Sequence, residues 1–332
     1  MARTVNDATV WYAKDVAADT RWRIALSSDE VAELCGALDG AHQRSYALTD
    51  INPETFPLPA FGKRMAAIRA ELESGRGFAV LTGLPVDAFS YTDSTLVFAG
   101  ICAQLGMISA QTANGTQLID VVDKGVPWDA EHRGYDSRAA LNFHTDGADV
   151  AGLLCLSVGA SGGDSFVASA SAIYNEIARA HPHLLDLLEV GFRHHRRGEQ
   201  PEGESPVSRE PLPVFRFHDD LLHCCYNRNA IEWAARAGEV LSDRQSEALD
   251  VLEATVNHPN IAFRHRLHPG DMSFVNNYAV LHARDEYHDS PTAKRHLIRL
   301  WVNDPTSRRL GPTLQNLYAP DDARFQVGAA QS

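Results

Sequence analysis

Only four methionines, five tryptophans and five cysteines occur in 332 residues, and these shortages exclude several ways of building a protein. The cysteines, at positions 35, 102, 155, 224 and 225, are odd in number, contain no C-x-x-C pair and include two adjacent members. That pattern argues against a disulfide framework and for a reducing, cytoplasmic setting. Long hydrophobic runs are missing too. The most apolar stretch, residues 151–160, is half of what a membrane span requires, and the opening MARTVNDATVWYAKD has no apolar core of signal-peptide length. Positive charge is scarce: 30 Lys plus Arg against 43 Asp plus Glu give a net charge of -13, so the overall field repels nucleic acid and anionic membranes. What remains is an ordinary globular composition with 44% hydrophobic residues, enough to bury a core without a structural metal.

What the sequence does contain is a change of texture near residue 76. The first 75 residues read as a helical buttress, with Ser27 and Glu30 as a capping box and a second helix running from about Gly62 to a stop at Gly75. GFAVLTGLP is then a short buried strand closed by Gly and Pro. Residues 109–140 read mostly as loop around the strand-like LIDVV, the kind of segment that serves as a lid or binding loop. LNFHTDGADVAGLLCLSVGASGGDSFVAS gives two strands with a polar cluster at the end of the first. A helical insertion near 170–260 follows, broken near Pro182 and reopened by a Ser242–Gln245 cap, before strands return in IAFRHRL, MSFVNNYAVLHA and RHLIRLWV. With no alternating strand–helix rhythm and no glycine-rich phosphate loop, the expectation is an α+β protein with a mainly β core. The pattern points to an antiparallel barrel or jelly roll, the expected form being the jelly roll, or double-stranded β-helix, with flanking helices and a helical insertion. The chain is read as one domain, 1–332, with the core over about 76–305 and a tail at 306–332.

Fifteen histidines need no special reading one by one, because a lone His is usually a surface or hydrogen-bonded residue; grouping is what counts. In His144-Thr145-Asp146 an imidazole and a carboxylate stand two apart, so an extended backbone turns both to one face, where they can chelate one ion. A second copy, His218-Asp219, lies between two predicted strands, where a turn is the simpler account. His282, ending FVNNYAVLH, is the favoured third ligand, with His288 in the polar loop beyond as runner-up. Two histidines and one carboxylate form a facial set that leaves three positions open on a non-haem Fe(II). In KRHLIRLWV, alternation puts Arg295, Leu297 and Arg299 on one face, and arginines turned into a barrel call for anions. Asn142 shares the face of His144, Asn276 or Asn277 reaches toward the site from the other strand, and Asp149 is placed to meet a substrate amine.

The order HTD, GGDS at 162–165, a distal His282 and arginines at 295 and 299 resembles the iron(II)/2-oxoglutarate dioxygenases of the taurine/2,4-dichlorophenoxyacetate (TauD/TfdA) family, including its clavaminate synthase-like members. The resemblance covers roughly residues 76–305. It implies Fe(II) held by His144, Asp146 and His282, 2-oxoglutarate held at its distal carboxylate by Arg295, and O2 as oxidant. Ser165 stands where the taurine enzyme has a threonine that touches 2-oxoglutarate, and Arg299 corresponds to an arginine that commonly reaches the prime substrate. The implied reaction releases succinate and CO2 and hydroxylates an unactivated C–H bond of a small polar, carboxylate-bearing or amino-acid-like substrate; desaturation and cyclisation share the same iron chemistry. Halogenation is disfavoured, since chloride would need the position that the Asp146 carboxylate takes. A metal-dependent hydrolase and a non-catalytic jelly-roll binding module are the alternatives of other classes.

Overall fold

The computed structural model describes residues 3–126, 134–200, 202–304 and 307. The expected tail lies, apart from Ser307, outside these, as does the 127–133 part of the expected loop. The protein is mixed α+β, and its strands are assembled by side-chain alternation. In Met272–Asn276, Phe274 faces the N-terminal helices whereas Val275 faces inward; in His296–Asn303, Ile298 and Leu300 face the helices whereas Leu297 and Trp301 face inward. Both faces of this sheet are thus apolar and both are covered.

The larger sheet runs in the order Arg23–Ala25, Phe78–Thr82, Met272–Asn276, Val150–Ser157, His296–Asn303, Met107–Ser109, and Leu118–Val121 also pairs with His296–Asn303. Its pairings are antiparallel except the first, where the N-terminal segment adds a parallel edge strand. A smaller antiparallel sheet has the order Phe263–His265, Ser165–Ser169, Val280–Arg284, Leu141–His144. Phe78, Val80, Ala151 and Val275 of the large sheet form one buried cluster with Val167 and Val280 of the small one, so the sheets share an interior. Helices Ser28–Gln43, Phe61–Ser74 and Tyr91–Ala103 cover the outside of the large sheet. Helices Ala170–Ala180 and Asp243–Val256 of the insertion pack with Phe143, Ala168 and Leu281 behind the small one.

The capping boxes at Ser27–Glu30 and Ser242–Gln245 are both formed, and Phe61–Ser74 stops at Gly75. The helix Tyr91–Ala103 is not among the elements expected from sequence, because residues 94–103 are buried on every side and show no polar face to mark a period. FVNNYAVLH is two strands belonging to different sheets. Asn276 breaks the run by accepting from the Tyr278 main-chain N–H through its side chain (2.9 Å), and the chain crosses the interior there. The second His-x-Asp motif is a turn: Asp219 and Asp220 both have positive φ (48° and 65°), the two-residue connection of a hairpin between Phe215–His218 and Leu221–Cys224.

Gly100 sits mid-helix directly against the fully buried Phe56 ring, which a Cβ would overlap. Helix propensity favours alanine there by about 1 kcal/mol, but overpacking costs about 1–3 kcal/mol. Gly100→Ala should therefore lower the urea midpoint of unfolding; a raised midpoint would show that Phe56 yields freely.

Candidate active site

His144 ends one strand of the small sheet, and His282 lies directly opposite it on the neighbouring strand. The His144–His282 ring centroids are 4.4 Å apart. Asp146 follows after a turn whose middle residue is pinned outward: Thr145 N–H donates to the Tyr226 carbonyl (2.8 Å), and Thr145 Oγ1 accepts from Tyr226 N–H (3.0 Å). With Thr145 so fixed, the side chains on either side of it point inward together. Asn277 completes the turn, its Oδ1 accepting from Asp146 N–H (3.0 Å) and its Nδ2 donating to the Ala148 carbonyl (2.8 Å). Of the two asparagines named from sequence, Asn277 supports the site through the backbone, whereas Asn276 is turned away toward the Leu72 carbonyl (3.1 Å).

Each of the three residues offers a ligand atom within 4.8 Å of the others. Nε2 of His144 and Nε2 of His282 are both 3.8 Å from Asp146 carboxylate oxygens. His144 Nδ1 faces the Asn142 carbonyl at 2.8 Å, which fixes the ring and leaves Nε2 as the donor atom toward a metal. Burial pulls the His282 imidazole down to about 3, His144 adding to this while Asp146 opposes it, so the ring is neutral at pH 7 with a lone pair to offer. Burial works against ionised Asp146, but Arg299 first, then His282 and His144, and the Trp301 indole N–H outweigh it and hold the carboxyl down to about 2. Arg299 Nη1 is 3.2 Å and Trp301 Nε1 3.1 Å from Asp146 Oδ2. Two imidazoles and one ionised carboxylate, gathered on one side, fit a divalent first-row ion with open positions.

The group stands where two cavities meet. The inner one, between the sheets, is lined by Ser165, Arg284 and Arg295; the outer one by His194, Arg196, Asn229 and Trp301; Tyr135, His144, Asp146 and Arg299 border both. Arg295 is 6% exposed, its Nη1 is buried without a hydrogen-bond partner among the described residues, and burial lowers its pKa. The close approach needs a glycine: Gly163, at φ 75°, leaves the space in which a Cβ would meet Arg295 Nε at 3.0 Å. Arg299 donates through Nε to Gln111 Oε1 (2.7 Å) and lies over the Tyr135 and Trp301 rings (5.0 and 5.2 Å).

Asn142 and Asp149 are not brought to either cavity. The Asn142 side chain is exposed and only its carbonyl serves, at His144. Asp149 is half-buried beside His296–Asn303, where its carboxylate accepts from Asp304 N–H (2.9 Å). His288 and His218 lie outside the metal-ligand group. Sequence reasoning missed Arg284, although strand alternation from His282 points to it. It also missed His194 and Arg196, which sit in the Pro- and Gly-rich excursion at 193–213, where no period reports facing.

The sequence profile of a family described as "Taurine catabolism dioxygenase TauD, TfdA family" matches residues 44–301. FR-33289 synthase of Streptomyces rubellomurinus is 32% identical over 322 residues, 95% of this chain and 94% of that protein. Taurine hydroxylase-like protein SAT17 of Stachybotrys chartarum is 28% identical, over 95% of this chain and 84% of its own. Among solved structures, an asparagine oxygenase in complex with Fe(II), 2S,3S-3-hydroxyasparagine and succinate superposes with a TM-score of 0.68 at 20% identity, covering 86% of this chain and 95% of that one. The non-heme iron oxygenase OrfP in complex with Fe and alpha-ketoglutaric acid gives 0.61 at 14% identity, covering 85% and 94%. These last two likenesses are of fold.

Two predictions follow from this geometry. His282→Ala should abolish tight anaerobic Co(II) binding, followed by its visible absorption, while His218→Ala leaves it intact; equal loss from both would remove His282 from the ligand group. Burial foremost, with Glu73 and Asp304 adding, pushes the Asp149 carboxyl from 3.8 up to about 7. The folded state therefore keeps a proton that the unfolded state has released, and stability falls as pH rises from about 4 to about 7. Relative to Asp149→Asn, the wild type should lose about 2 kcal/mol of unfolding free energy between about pH 5 and about pH 7; parallel profiles would refute the shift.

Proposed function

The chain belongs to the TauD, TfdA dioxygenase family, and on that premise we propose that it is an iron(II)- and 2-oxoglutarate-dependent oxygenase that hydroxylates a C–H bond of a small polar substrate bearing a carboxylate or similar anion. The observation that carries this reading is the placement of His144, Asp146 and His282 at the junction of two cavities, the inner one holding a buried arginine whose Nη1 has no partner among the described residues. The two facing sheets are read as the double-stranded β-helix expected from sequence. Membership selects the dioxygenase over the hydrolase and the binding module.

His144, Asp146 and His282 would hold Fe(II), which when bound supplies the redox chemistry that couples decarboxylation of 2-oxoglutarate with O2, giving succinate and CO2, to oxidation of a substrate C–H bond. The chain's own residues do the positioning. Arg295 holds the far carboxylate of 2-oxoglutarate by a charge-assisted fork, with Ser165 beside it, and so places the 2-oxo-acid end at the metal ligands. Arg299 and Trp301 keep Asp146 ionised and aimed inward. In the outer cavity Arg299, His194 and Arg196 supply donors and positive charge, which suits an anionic or amino-acid-like substrate. The relative named for taurine and the neighbour solved with hydroxyasparagine support that class, both molecules being small and acid-bearing. Five free cysteines support a cytoplasmic setting.

The test separates the arginines. Arg295→Ala should weaken 2-oxoglutarate binding by about 2 kcal/mol or more, roughly thirtyfold, because it removes a charged partner from a buried carboxylate. Arg299→Ala should weaken metal binding, because Asp146 loses its nearest cation, and at saturating metal, with Trp301 still donating to Asp146, should chiefly raise KM for the prime substrate. Anaerobic titration of the Fe(II) protein with 2-oxoglutarate, read at the visible band of the chelate, measures the first, and succinate release over a panel of small acids measures the second. Exchange of the two effects would reverse the roles; no 2-oxoglutarate binding by the wild type would end the reading.

A further inference from the structure

Arg284 lies two residues beyond His282 on one strand, so alternation turns both side chains into the space between the sheets. Its cross-strand partner is Ser165, and Arg284, Ser165 and Arg295 all line the inner cavity. Arg284 and Arg295 are each only 6% exposed, and their guanidinium carbons both stand 4.9 Å from the centroid of the Tyr287 ring. Arg284 gives Nη2 to the carbonyls of Ser137 (2.8 Å) and Ala139. Its Nε and Nη1, like Nη1 of Arg295, are buried with no hydrogen-bond partner among the described residues.

Two cations buried against the same ring repel each other, and each unmade N–H bond adds a desolvation cost. A single carboxylate removes both penalties, since its two oxygens offer about four acceptor sites and can take N–H groups from two guanidinium forks. Water could satisfy the N–H groups but not the repulsion. We infer that the distal carboxylate of the co-substrate is gripped by Arg284 and Arg295 together, a deepening that rests on reading the inner cavity as the 2-oxoglutarate site. Arg284 then has a second effect. The Ser137 and Ala139 carbonyls it holds flank that of Arg138, which accepts from Tyr287 N–H (3.1 Å), and they follow directly on Tyr135 in the wall of both cavities. Co-substrate binding thereby steadies segment 135–139, which borders the substrate cavity, before the substrate arrives.

The experiment compares 2-oxoglutarate with oxalate, which chelates the metal but has no distal carboxylate. Both are titrated calorimetrically, without O2, into Co(II)-loaded full-length protein. Arg284→Met, similar in length and uncharged, should weaken 2-oxoglutarate by about tenfold or more while leaving oxalate within about twofold. 2-Oxoglutarate should also slow amide hydrogen exchange over 135–139 in the wild type and not in the variant. Equal weakening of both ligands would mark Arg284 as merely structural and overturn the inference, as would unchanged 2-oxoglutarate affinity. If Arg284→Met loses its cooperative unfolding transition, Arg284→Lys decides. A point charge without the fork cannot reach carboxylate and carbonyls at once, so a severalfold loss confined to 2-oxoglutarate supports the grip and no loss refutes it. A wild type that binds oxalate but not 2-oxoglutarate refutes the dioxygenase reading itself. Retained affinity in Arg284→Met beside lost affinity in Arg295→Ala refutes only the shared grip.

Discussion

A carboxylate held ionised in a buried position is the constraint around which the rest of this protein is arranged. Asp146 is 10% exposed at its side chain, a place where desolvation alone would favour the neutral acid. It stays charged because Arg299 and the Trp301 indole reach it from the last strand of the large sheet, while the two imidazoles stand beside it from the small sheet. The site therefore exists only when both sheets are formed and correctly faced. A one-residue slip of His296–Asn303 would turn Arg299 and Trp301 outward together and put Ile298 and Leu300 in their place.

The same dependence explains the polar turns. Asn277 and Thr145 contribute no ligand atom, yet they fix the backbone on either side of Asp146 through partners 131 and 81 residues away in sequence. Such bonds are strong specifiers in a buried setting, because each leaves an unsatisfied group if its register is wrong. The cost of the site falls in the inner cavity, where Arg284 and Arg295 have N–H groups with no partner among the described residues. A chain of net charge -13 thus encloses an inner cavity lined by Arg284, Arg295 and Arg299, so the field inside it opposes that of the molecule as a whole.

Much of the framework was legible because it depends on neighbours in sequence. The Ser27–Glu30 and Ser242–Gln245 boxes, the stop at Gly75 and the turn at Asp219-Asp220 all form from contacts within a few residues. Period-two alternation likewise assigns Arg295, Leu297 and Arg299 to one face and puts His144 and Asp146 within reach of a common ion, whatever lies opposite. The buried helix Tyr91–Ala103 was not legible, since burial on all sides erases the polar stripe that would reveal a period.

By itself, then, the sequence determined which side chains share a face and which turns interrupt the strands. Only the tertiary structure decided which of those side chains have partners. Asn142 and Asn277 are the same residue type, both named for the same site, yet the first is exposed and the second holds the Asp146 turn, because what lies across from each comes from a distant segment. Asp149 looked like a substrate contact and is instead walled in beside Asp304. Arg284 is on the legible face two positions from His282, but that its Nε and Nη1 find no partner among the described residues depends on every strand around it. Facing follows from backbone geometry over a few residues, whereas the satisfaction of a buried charge depends on all that folds against it.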